Sequence, residues 1–200
     1  MGWFGNRKNK FDSFWTWFVE NEHTYYELGE QNREKEMNVL YNRLQKVNKH
    51  FAYEFSHDLI DGKREFILSA DGMVEAFDDL LDLYDSAPEL ERFEIIAFRQ
   101  PNDDEFTVTF GDVELSRDDV YFEIVDEINK DAVFYIKGFN ESQEDEYITA
   151  CFILLDGVIG EFYVGTKLGT LSFESLKDGQ THIPVSQLAD VLELDEELEV

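Results

Sequence analysis

Cysteine is almost missing from this chain of 200 residues: Cys151 stands alone, so no internal disulfide can form. Its place inside an apolar run reads as a buried thiol. With three prolines and 12 glycines, the composition also fails for collagen and for a coiled coil. No uninterrupted apolar run approaches the ~18 residues that a membrane-spanning helix requires. Arg7, Lys8 and Lys10 are followed by Asp12, Glu20 and Glu22 instead of an apolar stretch, so no secretory signal is expected. A myristoylation signal wants Ser or Thr at position 6, where this chain has Asn6. The expected address is the cytoplasm of a prokaryote.

Basic residues are scarce after the first quarter. Residues 1–50 carry eight Lys/Arg against seven Asp/Glu, for +1, whereas residues 51–200 carry nine against 38, for −29. The chain as a whole stands at −28. Such a body repels phosphate backbones and anionic lipid surfaces, so neither nucleic acid nor membrane is an expected partner. A basic protein surface or a metal ion would be attracted. The bland alternative is that the charge serves solubility alone.

Apolar residues make up 43% and aromatic residues 15%, which is ordinary for a folded protein and argues against wholesale disorder. Phe11, Phe14, Trp15 and Phe18 follow the i, i+3, i+4, i+7 spacing of one helix face, with Asp12 as a start cap and Gly29 as a stop. Trp17 lies off that stripe and is the aromatic expected at the surface. A second helix over about 32–48 buries Met37, Leu40, Tyr41, Leu44 and Val47. Phe51, Tyr53 and Phe55 then alternate, Asp61-Gly62 is a hairpin turn, and Phe66, Leu68 and Ala70 alternate again. A helix over about 73–86 turns Val74, Phe77, Leu81 and Tyr84 inward, and Phe93 to Phe98 reads as a strand.

The second half repeats that order. After a polar loop at 100–105 and a short strand pair around Gly111-Asp112, Val120–Val125 and Ala132–Phe139 form a hairpin. Ser142 and Asp145 suggest a capping box for a helix carrying Ile148, Cys151, Phe152 and Leu155 on one face. Strands near 161–165 and 169–174 follow, and Pro184 opens a last helix with Val185, Leu188, Ala189 and Leu192 inward. The expectation is one α+β domain with mixed or antiparallel sheets and packed helices. Two β-β-α-β units, in halves of about 1–100 and 105–200, suggest an internal duplication.

Three strings resemble a group of bacterial proteins with an FWxWF-type opening and no assigned activity. They are Phe14-Trp15-x-Trp17-Phe18 with Asn21-Glu22, Arg64-Glu65-Phe66 running into Ser69-Ala70-Asp71-Gly72, and Ala87-Pro88 ahead of Ala97-Phe98-Arg99. The later Leu155-Asp156-x-x-x-Gly160-Glu161 is similar to that group as well, whereas Phe93 stands where Trp is expected. The resemblance implies a bacterial origin and a coherent unit; it transfers no chemistry.

Catalytic motifs are few. Gly160 and Gly165 have phosphate-loop spacing, but Thr166-Lys167 follow in the wrong order and Glu161 occupies the interior. The four histidines show no paired ligand spacing, and one cysteine makes no zinc knuckle, so neither a metal nor a cofactor is called for. Asp71, Asp156 and Glu161, near glycines at the ends of apolar elements, are the candidate acids of a small-molecule or metal-dependent enzyme; as turn formers they need no function. The helix at 73–86 carries the most unusual surface: Glu75, Asp78, Asp79, Asp82 and Asp85 without Lys or Arg among them. Like charges at i, i+4 cost roughly 0.2–0.5 kcal/mol each, and Asp85 opposes the helix dipole. The first expectation is therefore a non-enzymatic acidic protein that binds a basic protein, inhibitor- or immunity-like, through these five acids and Trp17. The carboxylate enzyme is the alternative, and self-association through the aromatic first helix is a third.

Overall fold

The computed structural model describes residues 3–27, 32–102, 104–177, 179 and 181–194, with side chains from residue 10 onward. The chain divides into two compact units at Phe98/Arg99. Both are α+β, built on mixed or antiparallel sheets with packed helices.

In the first unit, α1 (Trp3–Glu27) buries Phe11, Phe14, Trp15 and Phe18, as the spacing predicts. The helix begins at Trp3, so Asp12 is not its cap; Asp12 is exposed inside the helix, and its carbonyl accepts from Thr16 Oγ1 at 2.7 Å. The stop expected at Gly29 lies outside the described residues. Along α2 (Arg33–Val47) the buried stripe is narrower than expected: Leu40, Leu44 and Val47 are buried, Met37 is half-buried and Tyr41 is exposed.

Strands β1 (Ala52–Phe55) and β2 (Arg64–Ser69) pair antiparallel. The turn between them has Asp61 and Gly62 both at positive φ (51° and 81°), the two-residue geometry whose twist suits a hairpin. β3 (Phe93–Ala97) runs parallel to β2, which requires a crossover. A 3-10 turn at Val74–Ala76 and α3 (Phe77–Asp85) supply it. The tighter turn changes the phase of the apolar stripe. Phe77 is buried as expected, but Leu80 and Leu83 take the other buried places, Leu81 and Tyr84 are half-buried, and Val74 is exposed.

The core of this unit is aromatic. Phe66 lies with its ring 4.8 Å from Phe18, 4.9 Å from Phe55 and 6.2 Å from Trp15. Trp15 Nε1 donates to the Leu83 carbonyl at 2.8 Å, which satisfies the indole and ties α1 to α3. Arg64 is buried, and its guanidinium donates to the carbonyls of Tyr26, Ser56 and His57. That explains how a cation tolerates the site.

The second unit opens with the hairpin of β4 (Thr107–Phe110) and β5 (Val113–Ser116). A four-stranded sheet follows, formed by β6 (Val120–Asp126), β7 (Asp131–Ile136), β8 (Leu171–Ser175) and β9 (Ile183–Pro184) in the order β8-β7-β6-β9. β6 and β7 are antiparallel, and β7 and β8 parallel. The hairpin, helix, parallel strand order of β1-β2-α3-β3 thus recurs.

The crossover here is α4 (Glu144–Ile159) followed by α5 (Glu161–Lys167). Asn140, not Ser142, caps the entry: its side chain accepts from the Ser142 amide at 3.0 Å. On α4 the buried residues are Ala150, Cys151, Leu154, Leu155, Asp156 and Ile159, whereas Phe152, expected inward, is 38% exposed, and Ile148 is half-buried. Residues 161–167, expected as a strand, are helical. Gly160 at φ +85° makes the corner that lets a second helix start at once, at 103° to the first helical run. Pro184 ends β9 instead of opening a helix; a 3-10 turn (Val185–Gln187) and α6 (Leu188–Val191) come after it. Val185 and Leu188 are buried, and Ala189 and Leu192 half-buried against the same core.

That core joins the inner face of the sheet (Val120, Phe122, Ala132, Phe134, Ile136) to α4. No single described helix is long and apolar enough to cross a membrane.

Candidate functional site

The five acids expected to form one face do not share one environment. Glu75 is exposed in the 3-10 turn, with its carboxylate 4.0 Å from His50 Nε2. Asp78, Asp82 and Asp85 are exposed on α3. Asp79 is half-buried and accepts from Asn48 Nδ2 at 3.2 Å, so it belongs to the packing between α3 and the end of α2. Asp78 and Asp79 occupy the first turn, where the helix dipole favours them; no basic residue sits in the last turn to offset Asp85.

Trp17 is half-buried instead of exposed. Its ring lies 6.3 Å from Phe14 and 6.0 Å from Tyr25, and the Arg43 guanidinium sits 4.9 Å above it. The stack leaves an open groove of about 450 Å³ beside Asp12, Thr16 and Glu20. A second open groove of about 500 Å³ runs between α2 and β1, past Arg33, Tyr41 and Glu54. Its polar group of most interest, the Tyr53 hydroxyl, already donates to the Met37 carbonyl at 2.8 Å. Neither groove contains a candidate catalytic acid.

Of the three candidate acids, Asp71 is exposed on the first unit at φ 52°, a left-handed turn position that aspartate tolerates. Asp156 and Glu161 come together in the second unit, buried at the corner between α4 and α5. Arg99 fills the space they share. Its guanidinium lies 3.3 Å from Asp156 Oδ2, its amide donates to Glu161 Oε2 at 3.3 Å, and its carbonyl accepts from the Glu161 amide at 2.9 Å.

Arg117 completes the clamp. It donates to the carbonyls of Asn102 and Gly157 and lies 5.0 Å over the Phe106 ring. A Cβ on Gly160 would stand 3.2 Å from Pro101 Cδ. These contacts pin residues 99–102 to the helix corner, and both carboxylates are occupied in doing so. Burial pushes the Cys151 thiol far above its usual range, which keeps it protonated and unreactive. Among the described residues, no group of three or more His, Cys, Asp or Glu is placed to hold a metal ion.

The second unit carries most of the negative charge, and most of its few cations are engaged within it. Residues 99–200 hold six Lys/Arg against 25 Asp/Glu, or −19; residues 1–98 hold 11 against 20, or −9. Arg99 is paired with Asp156, Lys130 with Glu127 at 2.9 Å, and Lys137 with Asp119 at 3.2 Å, while Arg117 is engaged as above. Burial alone would raise the Asp119 pKa, but hydrogen bonds from Ser116 and Lys137 outweigh it and hold the carboxyl below its usual range.

One face of the four-stranded sheet stands outside the core altogether. Period-2 alternation sends Tyr121, Glu123 and Val125 on β6, Val133 and Tyr135 on β7, and Ser172 and Glu174 on β8 to the side opposite α4. The register sets Pro184, Tyr121, Tyr135 and Glu174 in a row across the strands. His182 stacks on Tyr135 with ring centroids 3.7 Å apart, and the Tyr135 hydroxyl donates to Glu123 at 3.3 Å. The Tyr135 pKa is raised, by burial first and then by Glu123 and Glu174. Sequence reasoning passed over this face, although the alternation of Tyr121-Phe122-Glu123-Ile124 contains its signal.

Comparison with known proteins returns no match among family models, curated proteins or solved structures.

Proposed function

We propose that this chain is a non-enzymatic, acidic interaction protein that engages a basic protein partner, in the manner of an inhibitor or an immunity protein. The observation that carries this reading is the state of the cations in the second unit. Four of the six are held in intramolecular contacts, so few cations remain to offset its 25 Asp/Glu. Oppositely charged surfaces gain encounter rate and selectivity from such an arrangement more than raw affinity. The enzyme reading has less support. Asp156 and Glu161 converge, but onto Arg99 and its backbone instead of a cleft, and Asp71 sits on the other unit.

The test is to isolate the native partner from the source bacterium and follow its association with the full chain by stopped flow. Between about 0.01 M and about 1 M salt the screening length falls from ~30 Å to ~3 Å. The association rate should drop by about tenfold or more over that range. A rate that ignores ionic strength, or a partner as acidic as this chain, removes the proposal.

A further inference from the structure

We infer that the outer face of the β8-β7-β6-β9 sheet is the docking surface for that basic partner, and that it takes an arginine- or lysine-bearing segment across Tyr121 and Tyr135. The inference rests on the proposed function and gives it a location. Three observations point there.

The first is composition. A sheet face left to water ordinarily carries polar residues. This one carries two tyrosines, two valines, a proline, a serine, a histidine and two glutamates, and β6 to β9 contain no Lys or Arg. Tyrosine is among the residue types enriched where surfaces meet, whereas lysine and glutamate are depleted, so the two glutamates call for a cationic occupant.

The second is isolation from the core. Ile124, Leu171 and Phe173, on the inner side of the same strands, pack against the buried cluster, and Tyr121, Val125, Val133 and Tyr135 are not part of it. Val125 is 58% exposed, and Glu123 and Glu174 are exposed.

The third is charge complementarity. Glu123 and Glu174 flank the tyrosine pair, and Lys137, just past β7, is held by Asp119. His182 covers one face of Tyr135, and a guanidinium on the remaining tyrosine surface beside these carboxylates would gain a cation–π contact and charge-assisted hydrogen bonds together. A second copy of this chain would bring the same glutamates against each other, so the charge argues for a different, cationic occupant.

The probe is a short amidated Arg/Gly peptide, titrated into the full ¹⁵N-labelled chain at low salt, with its Glu/Gly counterpart as control. Amide shifts are expected to concentrate on residues 121–125, 133–135, 172–174 and 182. The double variant Glu123→Lys/Glu174→Lys should weaken binding by about tenfold. Asp78→Lys/Asp82→Lys on α3 makes the same change in net charge and should weaken it by less than about twofold.

Equal weakening by both pairs means diffuse attraction to net charge, which overturns the docking face and leaves the acidic-partner reading standing. Weakening by the α3 pair alone moves the site to α3 and also overturns the face. No salt-sensitive binding of the Arg/Gly peptide at all removes both. Concentration-dependent sedimentation of the free protein that Glu123→Lys/Glu174→Lys abolishes would assign the face to a second copy and overturn the inference as well. Native amide spectra for both double variants exclude unfolding as the cause.

Discussion

The Arg99–Asp156 pair gives the sharpest stability prediction. At 3.3 Å, with side chains 20% and 9% exposed, the pair is largely out of water. Its Coulomb attraction at an effective dielectric near 20 is about 5 kcal/mol, most of which offsets desolvation. Removing one partner takes this ion pair away from a charge that is largely out of water. Arg99→Met and Asp156→Leu should therefore each destabilise by about 2–4 kcal/mol. The double variant presents two apolar side chains to each other and should return to within about 1 kcal/mol of the starting protein.

Tryptophan fluorescence is the wrong probe, because Trp3, Trp15 and Trp17 all precede residue 18. Urea unfolding by far-ultraviolet circular dichroism, with amide exchange read on peptides from 144–167, reports on the right unit. Single variants within about 0.5 kcal/mol of the parent would place the pair with exposed ion pairs and refute its role as a clamp. A double variant equal to the sum of the singles would refute the coupling.

Other predictions concern single sites. Gly160→Ala should cost about 1–3 kcal/mol, because φ +85° is strained for alanine and its Cβ meets Pro101; a thermal melt checks it. Phe66→Ala should cost about 3–5 kcal/mol and change the Trp15 emission, since Phe66 is fully buried beside that indole. Asp119 has a folded pKa below its unfolded one, so the stability it contributes is complete above the ordinary carboxylate range near ~3.9 and fades as pH falls through the lower folded value. Asp119→Asn should flatten the acid limb of the stability–pH curve. Cys151, fully buried with its thiol kept protonated, should resist alkylation in native buffer and react at once in denaturant.

Several elements were legible because local chemistry leaves few choices. Four aromatics at helical spacing bury together on α1, and Asp61-Gly62 makes the hairpin it is suited to make. The misreadings have identifiable physical causes. Phe162, Tyr163 and Val164 are good strand formers, yet the corner at Gly160 and packing against α4 place them in a helix. A 3-10 turn at 74–76 shifted the buried stripe on α3, which no 3.6-residue count could anticipate. Arg43 over Trp17 covers a ring that its own helix leaves off the main stripe, and a contact between two helices is not written in either one.

Acids were easy to count and hard to place. Asp79 joins the packing, Asp156 and Glu161 close on Arg99, and Glu123 and Glu174 frame two tyrosines.

Composition and periodicity by themselves determined the class of the fold, the hairpins, most helix positions and the net charge, since each depends on neighbours a few residues away or on a simple total. Tertiary structure alone decided which carboxylates are buried with a cation and which stand beside an open aromatic face. That outcome depends on strand register and on residues some 60 positions apart meeting in space, as Arg99 meets Asp156 and Glu161. Burial and partner, not residue type, decide what a carboxylate is able to do.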